Sequence, residues 1–277
     1  MAFRASEAGH RKGDWRWWAA LIALLSAVTF AGLFTSEPYR TSTDVLMPPS
    51  TQHWLGTNAV GQDVWTGLLL AAPNTVVIAF TSAFLALAIA VFFAMASAVG
   101  VPLVRAGILR TVDMFQTIPA ILFLLLVAAW VQPGMLGIVL IIGLSAWQDD
   151  VRVIRAAVLR ESTRENVQYV RHQGGSWLYC AIHHLIPAVW PLLVSLYLQA
   201  TRHAVMKTAG LAFLGLTDPR LLTWGGMMQG AMDHLYGDAW RWLLVPPAVC
   251  LAMFLYLVLS LGKIAERQSM ARSSVGP

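Results

Sequence analysis

The sequence predicts an all-α, polytopic membrane protein with about six spanning helices. Three observations predict it. Charged residues make up 12% of the 277, against roughly a quarter in soluble domains. Hydrophobic residues make up 57%. Several apolar runs reach the roughly 20 residues that a helix needs to cross a bilayer. Between them lie short loops, none large enough for a separate soluble domain. The net charge of +5 therefore has to be placed by topology before it means anything, and it implies no nucleic-acid partner.

The elements follow in chain order. Residues 1–16 are polar and basic, with Arg4, Arg11, Lys12 and Arg16, and they read as a cytoplasmic N-terminal segment. The apolar run 17–34, with Trp15, Trp17 and Trp18 at its start, is long for a signal peptide's core and reads as an uncleaved first span. Residues 35–66 form a polar loop with turn chemistry at Gly56, Asn58 and Gly61, and Asp63 is placed to cap the next helix. No charged side chain occurs from Leu68 to Val104. That is longer than one span requires, so an interfacial turn near Pro73-Asn74 is expected before a span at 75–98.

Arg105 and Arg110 mark a basic loop. The sequence Gln132-Pro133-Gly134 then splits a hairpin into spans at 114–131 and 136–158, and Pro119 and Gly143 read as kinks or points of close packing. The fifth and sixth spans are expected at 188–206 and 243–262. Residues 17–262 thus form the transmembrane domain and 263–277 a cytoplasmic tail. Six spans put both termini on one side. Arg152, Arg155, the 160–187 interval, Lys263, Arg267 and Arg272 share that side with Arg105 and Arg110, so it is the cytoplasm. The protein is expected in the cell membrane as a multi-pass chain.

The interval from Arg160 to Pro187 is the longest polar stretch in the second half. Val167 and Val170 fit one helical face, Gly174-Gly175 bends the chain, and Trp177, Leu178, Ala181, Ile182 and Leu185 make a second apolar stripe. Two short helices along a membrane surface are the simplest picture, and an ordinary amphipathic connector is the other. His183 and His184 are neighbours in sequence and diverge on a helix, so they do not suggest a metal site. Cys180 and Cys250 sit in no ligand pattern. His203 and Met206 are candidate pathway residues, or simple packing. No phosphate-binding loop and no catalytic constellation occurs, so no catalytic residue, bound cofactor or metal is expected on this chain. A secondary transporter would need intramembrane ionisable residues, which look scarce in the apolar runs; a non-transporting scaffold would need only the helices.

Several segments in fixed order resemble the inner-membrane permeases of binding-protein-dependent ABC importers, in the dipeptide/oligopeptide/nickel branch. They are His53-Trp54-Leu55-Gly56-Thr57 with Gly61 and Asp63; Asp113 and Gln116-Thr117-Ile118-Pro119; Trp147 with Arg152 and Arg155; Phe213-Leu214-Gly215-Leu216; and Asp218-Pro219 with Trp224-Gly225. The resemblance runs from about His53 to Gly262. It makes the Arg160–Pro187 interval a cytoplasmic coupling helix between spans four and five. Gln168, Tyr169 and Val170 stand where the family has Glu-Ala-Ala, Gly174 is its glycine, and Pro187 ends the element. The chain departs from the pattern at Gln168-Tyr169, at Gln62 and at Pro73, where arginine is usual at the last two.

The resemblance implies a second permease subunit, two ATP-binding subunits that hold ATP and magnesium, and an extracytoplasmic binding protein. Arg164, Glu165, Val167, Gln168, Tyr169, Val170, Gly174 and Pro187 become the ATPase-coupling residues. Trp54, Asp63, Asp218 and Trp224, on the outer loops, become contacts for the binding protein. Small peptides are the first implied substrate, and nickel or a metal chelate the second.

Overall fold

The structure, a computed structural model, describes residues 39–273, with side chains through Ile264. The expected first span, 17–34, and the 1–16 segment lie outside the described residues. Regular structure among the described residues is helical: α1 (Val64–Val99), α2 (Pro102–Thr117), α3 (Ala120–Val131), α4 (Met135–Leu144), α5 (Gln148–Ser162), α6 (Glu165–His172), α7 (Trp177–Cys180), α8 (Ile186–Phe213), α9 (Trp224–Gln229), α10 (Trp240–Leu243) and α11 (Val245–Ser273). Among the described residues, three helical stretches are long and apolar enough to cross a membrane: Val64–Val99, Trp177–Phe213 and Trp240–Ile264. A fourth is added if α2 and α3, bent by 72° at their junction, count as one.

One expectation about proline is corrected and another, the kink at Pro119, is met. No interfacial turn interrupts α1 at Pro73-Asn74; the helix runs through it for 36 residues. Pro73 deprives the Leu69 carbonyl of its helical donor, a loss that neighbouring groups in a membrane protein offset. Close by, the Trp224 indole donates to the Leu68 carbonyl at 3.1 Å, one residue before the carbonyl that Pro73 leaves free. Asn74 makes no turn and instead donates to the Leu222 carbonyl at 2.8 Å. Pro119, expected within a span at 114–131, does break the chain. Ile118 before it is extended (φ −88°, ψ 123°), the conformation that a following proline favours. The basic residues Arg105 and Arg110 are therefore helical rather than in a loop.

The described residues fall into two compact units. The first comprises residues 39–77, 212–215 and 219–257. Its loop is held by polar bonds around the start of α1. Asp63 accepts from the backbone N–H and the hydroxyl of Thr66, at 2.8 and 2.9 Å, so it is the N-cap the sequence suggests. Asn58 Oδ1 accepts from the backbone of Val60 and Gln62, closing a turn on Gly61 at φ +74°. A Cβ at Gly56 would stand 2.5 Å from the Met47 carbonyl oxygen, so only glycine fits there.

The second unit comprises residues 78–211, 216–218 and the chain from Val258. Ala79, Ala83, Ala86, Ala90 and Ala94 form a buried stripe on α1 at helical spacing, which lets neighbouring helices approach closely. Gly143 on α4 is a packing residue, because a Cβ there would lie 2.7 Å from Leu85. The hairpin at Gln132-Pro133-Gly134 is present; Gln132 takes the left-handed conformation (φ 44°) and caps α3 by bonding to the Ala128 carbonyl. The expected span at 136–158 is two helices, α4 and α5, with a turn at residues 145–147.

Candidate coupling site

The polar interval is ordered as two short helices on the surface of the second unit. Helix α6 begins after Arg164, which is extended, and carries Glu165 in its first turn and Arg171 and His172 in its last, the charge order a helix dipole favours. It ends in a complete Schellman arrangement: Gly175 N–H bonds to the Val170 carbonyl and Gly174 N–H to the Arg171 carbonyl, both at 3.0 Å. Gly174 has φ +85°, which disfavours any L side chain, although nothing stands near its absent Cβ. At Gly175 the limit is space, since a Cβ would meet Val170 at 2.7 Å. Ser176 then caps α7 by accepting from the Tyr179 N–H at 3.2 Å. The Arg171 guanidinium lies 5.0 Å over the Trp177 ring and ties the two helices together.

One face of this pair is anchored and the other is open. Val167 is 3% exposed and belongs to a buried cluster with Val112, Val151, Ile154, Val158, Cys180 and Leu185. Tyr169, by contrast, is 66% exposed, and Leu178, Tyr179 and Ile182 are also exposed. The interval therefore keys into the bundle at Val167 and offers apolar groups outward. Gln168 and Glu165 are exposed and Val170 half-buried. Arg164 donates from Nε to the carboxylate of Glu161 at 2.9 Å. Glu161 is buried at the end of α5. Sequence reasoning passed over Glu161, although an acid three residues before an arginine was the available signal.

Pro187 does not end the element as expected. A π-turn at Ala181–Leu185 leads directly into α8, with Pro187 its second residue, so the chain stays helical from Trp177 to Phe213. Proline cannot donate the i→i−4 bond, and the π-turn immediately before it is where the helix absorbs that loss. His183 stacks on Tyr179 at 4.4 Å and contacts its carbonyl, a local arrangement along the helix.

The four expected outer-loop contacts have different environments. Trp54 is 67% exposed and leans on Trp65 at 5.9 Å. Asp63 is occupied by its capping bonds and by His53, 3.1 Å away. Trp224 is corrected: it is fully buried, bonded to Leu68 and packed edge-on against Phe254, so its ring serves the interior and not a docking protein. Asp218 is half-buried, and its backbone N–H bonds to the Pro133 carbonyl at 3.2 Å. In the first unit, burial and then the charge of Asp63 push the Tyr39 hydroxyl up from 10.0 to about 12, against a lowering hydrogen bond from Asn58.

His203 and Met206 do not share a site. Met206 is 59% exposed on one side of α8, whereas His203 lines a cavity of about 270 Å³ with Asp149, Asp150 and Lys207. The acids and the lysine were missed as a group because Lys207 is distant from them in sequence.

The described residues thus hold long apolar helices, with a short amphipathic pair keyed into the second unit at Val167. The fold is similar to that of a chain in inward-facing conformations of the MetNI methionine ABC transporter, with a TM-score of 0.59 over 73% of this chain and 96% of that one, at 18% identity. Residues 86–269 match the family described as binding-protein-dependent transport system inner membrane component. Among curated relatives, a putative peptide permease protein of Brucella suis biovar 1 (strain 1330) is 32% identical over 241 residues, covering 84% of this chain and 80% of the relative. The oligopeptide transport system permease protein OppC of Bacillus subtilis (strain 168) is 26% identical, covering 84% and 78%. The chain belongs to this family of inner-membrane components, and it is a permease of an ABC importer.

Proposed function

We propose that this permease carries small peptides, as one of two non-identical permease subunits served by two ATPases and an extracytoplasmic binding protein. The reading is of six spans with both termini cytoplasmic. The observation that carries the coupling role is the asymmetry of α6, with Val167 seated in the core and Tyr169 turned outward on the same short helix. An ATPase that gripped the Tyr169 face would move α6 as a rigid lever, and the buried Val167 contacts would pass that motion to α5 and α8. Nucleotide-driven closure would then shift the bundle between inward and outward access. The peptide assignment is supported by the relatives' names. ATP-dependent accumulation of a labelled tripeptide by the reconstituted complex, requiring the binding protein, is the expected result. A complex that hydrolyses ATP but accumulates no peptide of two to five residues would remove the peptide assignment.

A further inference from the structure

The cavity in the second unit lies at the end of α8 away from the coupling interval. His203 is 17 residues past Ile186, about 26 Å of helix at 1.5 Å per residue. Its walls come from several helices. Gln199, His203 and Lys207 recur every four residues on α8, Asp149 and Asp150 open α5, and Ser82 with two alanines faces it from α1. Asp149 and His203 are exposed at its mouth, while Asp150 and Lys207 are half-buried. His203 and Lys207 lie on a membrane-length helix, where ionisable groups are too costly to face lipid, so this surface faces water or a protein-lined path.

The charges are left apart. Asp149 is within electrostatic reach of Lys207 and His203, yet the ion pairs among the described residues are made by other groups. Ser82 is wholly buried and its Oγ has no hydrogen-bond partner. A buried hydroxyl without a partner costs free energy unless something arrives to bond it. Among the described residues no three His, Cys, Asp or Glu side chains are placed to hold a metal ion. The volume, about 270 Å³, is near the lower end for small-molecule sites, roughly 300 Å³.

We propose that this cavity is a transit subsite for the two charged termini of a short peptide, with Lys207 taking the carboxylate and Asp149 and Asp150 the ammonium group. Ser82 supplies a hydroxyl to the peptide backbone, and Ala83, Ala86 and Ala204 leave room for it without choosing among side chains. The subsite recognises what all short peptides share, leaving discrimination between sequences to the binding protein. This inference rests on the peptide reading above.

The test uses the complete importer in proteoliposomes with trialanine, its C-terminal amide and its N-acetyl derivative. Each variant's uptake is divided by the wild-type uptake of the same compound, so the binding protein's own preference cancels. Lys207→Met is expected to lower trialanine uptake about tenfold, the worth of one charge-assisted bond, and uptake of the amide less than about twofold. Lys207→Arg retains transport of both. Asp149→Asn with Asp150→Asn lowers trialanine uptake similarly and spares the N-acetyl compound. Equal losses for trialanine and its amide would show a structural role and overturn the subsite, as would no loss. Wild-type complex that carries none of the three compounds overturns the peptide reading too. A second readout is independent of turnover: a tripeptide bearing photo-leucine labels the Gln199–Lys207 segment in wild type and not in Lys207→Met. Labelling elsewhere alone overturns the proposal.

Discussion

Replacing Val167 by alanine isolates the mechanical claim about α6. The residue is 3% exposed and packed among Val151, Ile154, Val158 and Leu185. The change deletes two buried carbons, each worth about 0.8 kcal/mol in transfer free energy, and leaves a small cavity that adds to the loss. About 2 kcal/mol of docking free energy should disappear, equivalent to about a 30-fold rise in the population of undocked α6. Hydrogen exchange reads that population directly, because amides of a locally opened segment exchange in proportion to its opening. Amides of residues 168–172 should lose about 30-fold in protection, while those of residues 83–94 on α1 stay unchanged. Tyr169→Ala, which trims an exposed ring, should leave the α6 amides as they are. Equal protection in wild type and Val167→Ala would refute the anchoring argument, and the lever with it.

Three further outcomes follow from local geometry. Gly174→Ala forces a side chain into φ +85° with open space around it; it should cost about 1–2 kcal/mol, read as faster exchange at the end of α6 with assembly intact. Asp63→Ala removes the α1 cap and should lower stability by about 1 kcal/mol, whereas Asp63→Asn, which still accepts the Thr66 bonds, should lose less in a thermal melt. Tyr39 keeps its proton longer in the folded chain, to about 12 against 10.0, so its contribution to stability is full below pH 10 and is lost as pH rises towards 12. Ultraviolet titration should show one tyrosinate step near pH 12 that Tyr39→Phe abolishes; a Tyr39 that ionises with the ordinary tyrosines contradicts this.

What could be read from the sequence was whatever is encoded locally. The Gly174-Gly175 bend, the Asp63 cap and the Gln132-Pro133-Gly134 turn depend on backbone chemistry within a few residues, and all three are present. Prolines were ambiguous because their effect is decided by neighbours distant in sequence. Pro119 ends α2, Pro73 is carried inside an unbroken α1, and Pro187 opens α8 behind a π-turn. Trp224 looked like a surface aromatic in a polar loop, but its partners Leu68 and Thr75 lie about 150 residues earlier. The cavity was hidden for the same reason: Ser82, Asp149 and Lys207 become neighbours only when three helices pack.

The central claim is that α6 couples this permease to an ATPase through the face that bears Tyr169. The most direct measurement is affinity purification of the tagged chain in mild detergent, with and without Tyr169→Asp, scored for co-purified ATPase subunits. The account predicts an ATPase pair with wild type and its loss in the variant, because a buried carboxylate at the centre of an apolar contact is strongly disfavoured, while Val167 still holds the helix in place. An ATPase retained equally by both would contradict it and move the docking surface off Tyr169.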